Sequence, residues 1–192
     1  METIRKQIKE SLRTSNSILE DNVLLQSIEE AAGICCTSLK NGNKIMLAGN
    51  GGSAADSQHL AAELVNRFGF DRPALAAIAL TTDTSIITSV SNDYGFETLF
   101  SRQVQAIGKK GDILILLSTS GNSQDILNAI PEARKTGIVT IGLTGSSGGK
   151  MVDMCDIILK IPSAETPRIQ EAHILIGHII CDLIENEMFK IK

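Results

Sequence analysis

Tryptophan is absent from the 192 residues, tyrosine occurs once and phenylalanine five times, so aromatic side chains make up only 3% of the chain. Platforms for stacking nucleic-acid bases are therefore scarce, and a formal net charge of −4 provides no basic stripe for a phosphate backbone. No nucleic-acid partner is expected. No apolar run approaches the roughly 20 residues that span a bilayer, and the opening Met1-Glu2-Thr3-Ile4-Arg5-Lys6 lacks the apolar stretch of a secretory signal. The expectation is a soluble, cytoplasmic protein with no membrane contact. Cys35, Cys36, Cys155 and Cys181 form no C-x-x-C pair and no metal-finger spacing, and read as buried, reduced thiols.

With 43% hydrophobic residues and no shift in composition that would mark a linker, residues 1–192 are expected to form a single domain. Apolar residues Ile4, Ile8, Leu12, Ile18 and Leu19 follow a helical spacing. A second helix is predicted over about Val23 to Leu39, ending where Asn41-Gly42-Asn43 tolerates left-handed backbone. Beyond these extra N-terminal helices, short apolar runs alternate with helical stretches: Ile45 to Ala48, Leu75 to Leu80, Ile113 to Leu117, Val139 to Leu143 and Ile157 to Ile161. Runs apolar on both faces and joined through helices predict an α/β three-layer sandwich with a five-stranded parallel sheet. Thr166 is a candidate cap and Pro167 a candidate first residue for a final helix reaching about Met188. Its apolar residues, including Ile174, Leu175, Ile179 and Leu183, cover more than one face, which predicts packing against another subunit.

Two turns sit after predicted strands, where ligands of parallel sheets bind. Gly49-Asn50-Gly51-Gly52-Ser53 follows the first run and Ser118-Thr119-Ser120-Gly121-Asn122-Ser123 follows the third. Glycines permit close backbone approach, and the N–H groups opening the next helix favour an anion. The hydroxyls of Ser118, Thr119, Ser120 and Ser123 can cradle a phosphate without lysine, although Ser123 alone would also suit a helix cap. The first turn lacks the G-x-G-x-x-G of a dinucleotide site, and the lysine of a P-loop is missing.

The three histidines fall on two predicted helices. His59 and Glu63, four residues apart, share a face and can pair together or grip one metal ion. On the last helix, spacing allows either Gln170 or Glu171 to accompany His178. A carboxylate base beside an imidazole suits proton transfer next to a carbonyl, as in aldose–ketose isomerisation, with a divalent ion stabilising the developing charge. Among Ile174, Leu175 and Ile176, His173 reads as a satisfied core residue. Asn92-Asp93 is predicted in a polar turn after a short helix, where it either binds sugar hydroxyls or forms an Asx turn before Gly95. Asp125, Asp153 and Glu132 read as helix-terminal or solvated charges.

Taken in order, Gly49-Asn50-Gly51-Gly52-Ser53, Gln58-His59-x-x-x-Glu63, Asn92-Asp93-Tyr94-Gly95-Phe96, Ser118-Thr119-Ser120-Gly121-Asn122-Ser123 and Arg168-Ile169-Gln170-Glu171-x-His173-x-x-x-x-His178 resemble the phosphoheptose isomerases of the sugar-isomerase (SIS) domain superfamily. The resemblance implies a flavodoxin-like SIS domain converting sedoheptulose 7-phosphate to D-glycero-D-manno-heptose 7-phosphate, the entry to nucleotide-activated heptose for lipopolysaccharide or capsule. It implies Zn2+ on His59, Glu63, Gln170 and His178, with Glu63 and His178 as base and acid. It also implies substrate contacts from Asn50, Gly51, Gly52, Ser53, Glu63, Asn92, Asp93, Ser118, Thr119, Ser120, Ser123 and Gln170, and a homotetramer with active sites at subunit interfaces. A non-catalytic tetrameric SIS-domain regulator that binds a replication initiator protein has similar phosphate loops, but this chain keeps Glu63 and His178, which that regulator lacks. Sugar-phosphate sensors add a helix-turn-helix module, for which there is no room.

Overall fold

The computed structural model describes residues 1–189, so residues 190–192 at the end of the expected domain lie outside it. Helices α1 (Glu2–Glu20) and α2 (Asn22–Lys40) precede an alternating segment of β1 (Ile45–Gly49), α3 (Gly52–Val65), β2 (Ala77–Ala79), α4 (Thr84–Tyr94), α5 (Leu99–Ile107), β3 (Ile113–Leu117), α6 (Gln124–Thr136), β4 (Val139–Thr144), β5 (Ile157–Lys160) and α7 (Thr166–Phe189). Asp21 separates the first two helices and caps the second, its carboxylate accepting from the Val23 and Leu24 N–H groups. Gly42, at φ +78°, turns the chain out of α2 into β1.

All strand pairs are parallel, in the order β2-β1-β3-β4-β5. Alternate side chains of each strand feed opposite layers. Ile45, Leu47, Ile113 and Ile115 join residues of α1, α2, α3 and α7 in one core, while Met46, Ala48, Leu114 and Leu116 pack with α5 and α6 in the other. This is the expected α/β sandwich. The strand order reverses between β1 and β3, so their carboxyl ends open a crevice at the switch point, flanked by the glycine turn and the hydroxyl turn.

Three local expectations are corrected. The predicted strand Leu75–Leu80 shortens to Ala77–Ala79, because the Leu75 N–H donates to the Leu64 carbonyl at the end of α3 instead of to the sheet. Asn92 and Asp93 belong to the last turn of α4, and the turn falls at Gly95, φ +91°. The Ile169 N–H donates to the Glu165 carbonyl, which puts Glu165 rather than Thr166 at the cap position and makes Thr166, not Pro167, the first residue of α7. Cys35, Cys36 and Cys181 are buried free thiols and Cys155 is partly buried; burial pushes Cys155 and Cys181 up to about 12, which keeps both protonated and inert.

Apolar side chains also remain exposed. Ile4, Ile8, Leu12 and Leu19 line α1, and Leu175 and Ile179 lie on α7.

Candidate active site

α3 begins on Gly51, whose φ of +56° lets the chain turn directly from β1 into the helix. Gln170 packs close to Gly52: a Cβ there would stand 2.6 Å from Gln170 Nε2. The Gln170 side chain thus lies against the glycine turn, while Glu171 pairs with Arg168 at 2.6 Å. Ser53 is buried at the start of α3, its carbonyl accepting from Ser57 Oγ.

Two turns along α3, side chains from α3 and α7 converge. His59 Nε2 lies 3.2 Å from Glu63 Oε1 and 2.9 Å from His178 Nε2. One ligand atom from each of His59, Glu63 and His178 lies within 4.8 Å of the other two. Two imidazole nitrogens and a carboxylate oxygen at this separation suit a divalent ion such as zinc and leave room for further ligands. The Phe68 ring leans on His178, centroids 5.5 Å apart. Asp56, one turn before His59, was not singled out in the sequence. Its carboxyl is pushed above the usual range by burial, opposed by the nearby His59 and His178, and its Oδ2 is buried without a hydrogen-bond partner. The spacing Asp56-x-x-His59-x-x-x-Glu63 carried the signal, since all three fall on one helix face.

A buried ion pair holds this region in place. Glu185 on α7 accepts from the Phe68 and Gly69 N–H groups and from Arg72 Nε at 2.8 Å, and both charged side chains are 1% exposed. Burial opposes ionisation of Glu185, yet those N–H groups and Arg72 hold its carboxyl below the usual range. Arg72 also donates to the Glu63 and Leu64 carbonyls. The pair therefore ties the end of α3 to α7, and with it the backbone of Glu63 and the ring that touches His178.

Across the crevice, Ser118 is buried and its hydroxyl faces Ser123 Oγ at 3.1 Å. Ser123 occupies the N-cap position of α6 without making a side-chain cap bond, so its hydroxyl is turned into the loop. Gly121, φ +64°, allows the turn to pass against Gly148, whose carbonyl would stand 2.0 Å from any Cβ. Thr119 and Ser120 open onto a cleft of about 270 Å³ whose other walls include Ser146, Ser147, Ser163 and Thr166. These four hydroxyls were missed; Gly145-Ser146-Ser147, directly after β4, is a third strand-end turn of similar composition.

Of the two readings of Asp125, the helix-terminal one holds, since it lies in the first turn of α6, and the solvated one does not. Asp125 is 3% exposed, and Asn50 Nδ2 donates to its two oxygens at 2.8 and 3.1 Å, bridging the switch-point crevice. Asn92 and Asp93 are exposed, with the Asn92 amide donating to Asp93. Among the described residues no hydrogen bond joins them to either turn. His173 is fully buried, but neither ring nitrogen has a hydrogen-bond partner, so it is not the satisfied core residue expected. Burial lowers its pKa to about 4, with the Thr144 backbone acting in the opposite direction.

A family model described as SIS domain matches residues 8–145. A phosphoheptose isomerase from Aneurinibacillus thermoaerophilus is 56% identical over 189 residues, covering 98% of this chain and 96% of the relative. The chain belongs to the phosphoheptose isomerase family. A solved phosphoheptose isomerase structure from Neisseria gonorrhoeae matches with a TM-score of 0.90 and 43% identity, covering 96% of this chain and 98% of that one. Another from Francisella tularensis gives 0.92 and 40%, covering 96% and 97%. Because these likenesses run nearly end to end, the isomerase family encompasses α7 and His178, which the SIS match alone does not reach.

Proposed function

We propose that the chain is a phosphoheptose isomerase interconverting sedoheptulose 7-phosphate and D-glycero-D-manno-heptose 7-phosphate, the first step toward nucleotide-activated heptose for lipopolysaccharide or capsule. The observation that carries this is the convergence of Glu63 and His178, from separate helices, on His59, in a chain of this family. The hydroxyls of Ser118, Thr119, Ser120 and Ser123 hold the phosphate, and Asn50, Gly51, Gly52, Ser53, Asn92, Asp93 and Gln170 surround the sugar. The Glu63 carboxylate takes a proton from C1 of the ketose and returns it to C2. His178 moves a proton between O1 and O2, so the enediol forms and collapses without net gain or loss of protons. His59, Glu63 and His178 would hold a zinc ion, with Gln170 as the further ligand that the family resemblance implies. When bound, it supplies positive charge that stabilises the oxyanion character of the enediol.

The chain works as one SIS domain over residues 1–192 within a cytoplasmic homotetramer, whose active sites lie between subunits. The exposed apolar stripe of α1, together with Leu175 and Ile179 of α7, suits burial against other copies. Turnover of sedoheptulose 7-phosphate by the purified protein, measured with and without chelator, tests the reading. Turnover that is lost with chelator and restored by zinc is the expected result, and no turnover with zinc present rejects it.

A further inference from the structure

Glu63 sits in the last turn of α3, where a helix has carbonyls without partners of its own and its backbone frays. The chain leaves through Asn66 at φ −87°, so no left-handed glycine ties those carbonyls back. Arg72 does so instead. Its guanidinium donates to the Glu63 carbonyl at 2.8 Å and to the Leu64 carbonyl at 2.7 Å, each from a different terminal nitrogen, while its Nε donates to Glu185 at 2.8 Å. A rigid planar fork holds three acceptors at set positions at once; the single nitrogen of a lysine cannot span them.

Glu185 lies seven residues after His178, on the same face of α7. Besides Arg72 it accepts from the Phe68 and Gly69 N–H groups at 2.9 and 2.6 Å, and the Phe68 ring rests on His178 with centroids 5.5 Å apart. An ion pair with both side chains 1% exposed contributes little net stability over apolar residues of the same volume, whereas its directed bonds fix positions. We infer that Arg72 and Glu185 are positioning residues of the isomerisation: the pair sets the Glu63 carboxylate against His178, holding the backbone of the one and the ring contact of the other. The role presupposes the isomerase reading, and neither residue falls in any of the sequence motifs above.

The test compares wild type with Arg72→Lys and Glu185→Gln, zinc-loaded and assayed well below their unfolding midpoints, with the folded fraction measured by circular dichroism. Per folded molecule, each variant is expected to lower kcat about 10–100-fold, with KM for sedoheptulose 7-phosphate changed less than about threefold. The primary isotope effect on kcat, read with substrate deuterated at C1, is expected to equal or exceed that of wild type, because proton transfer is the step that slows. A purely structural pair lowers the folded fraction and leaves kcat per folded molecule intact. That result, a KM that rises as far as kcat falls, or an isotope effect that shrinks toward one would overturn the inference. If Arg72→Lys does not fold, Glu185→Gln decides on the same readings. If neither folds, Phe68→Leu, in the partly exposed loop, decides: kcat reduced with KM kept supports the assignment, and a wild-type kcat refutes it. An inactive zinc-loaded wild type defeats the isomerase reading itself, whereas an active wild type with unimpaired variants defeats only this inference.

Discussion

His59 Nε2 and His178 Nε2 approach to 2.9 Å although 119 residues separate them in sequence. Their helices meet because α3 and α7 share one layer, where Leu60 packs so tightly on Gly177 that a Cβ there would come within 2.5 Å of it. Gly177 thus lets α7 approach closely enough to bring His178 beside the face of α3 that carries His59 and Glu63.

Removing either imidazole should weaken the metal site. His59→Ala and His178→Ala are each expected to lower zinc retained after dialysis by about tenfold or more in apparent affinity, as loss of a direct ligand should cost at least as much as loss of its supporting shell. Metal analysis of the dialysed variants checks this, and full occupancy in either one removes that histidine from the ligand set.

The hydroxyl cradle should act on binding more than on chemistry, since the phosphate lies away from the reacting carbons. Ser118→Ala and Ser123→Ala are each expected to raise KM about tenfold, roughly one hydrogen bond to a charged group, with kcat largely retained. Steady-state kinetics gives the split. A large loss of kcat with KM unchanged would place these hydroxyls nearer the chemistry.

The Arg72–Glu185 pair is a stability element beneath the site. Glu185→Leu leaves the Arg72 charge buried and uncompensated, and is expected to destabilise the protein by about 3–5 kcal/mol in urea unfolding. The Glu185 carboxyl is held below its ordinary value in the folded state. Its contribution is therefore complete above the unfolded carboxyl pKa, about 4.3, and is lost as pH falls through the folded value. Arg72→Met should move the acid unfolding midpoint upward, as followed by circular dichroism.

His173 adds a second acid sensitivity. Its ring is buried without partners and its pKa falls to about 4, whereas in an unfolded chain it would protonate near the ordinary value of about 6.5. Between those values the unfolded state binds the extra proton, so stability decreases as pH falls from about 6.5 to 4, by roughly 3 kcal/mol in all. His173→Leu should flatten that part of the stability–pH curve; an unchanged slope would show that His173 keeps an ordinary pKa.

The sheet was readable in the sequence because its strands are apolar on both faces and separated by helices, a pattern with few solutions. β2 was overextended because Leu75 and Leu80 are as apolar as a strand requires, and nothing local reveals that the Leu75 N–H turns to Leu64. His59 and Glu63 were readable as neighbours from helical spacing, while the choice between Gln170 and Glu171 depended on which face of α7 meets Gly52. Asp125 was readable as helix-terminal but not as buried, because an acid in a first helical turn ordinarily faces water and its partner Asn50 lies 75 residues away. His173 was correctly placed in the core, but its missing partners follow from packing that periodicity does not encode.

In the proposed reaction the Glu63 carboxylate transfers the proton between C1 and C2. The most direct test of this role is the zinc-loaded Glu63→Gln protein, which keeps the side-chain shape and a potential oxygen ligand but removes the base. A fall in kcat of about 10²–10⁴-fold in a folded, metal-binding protein is expected. Turnover of sedoheptulose 7-phosphate by this variant at the wild-type rate would contradict it.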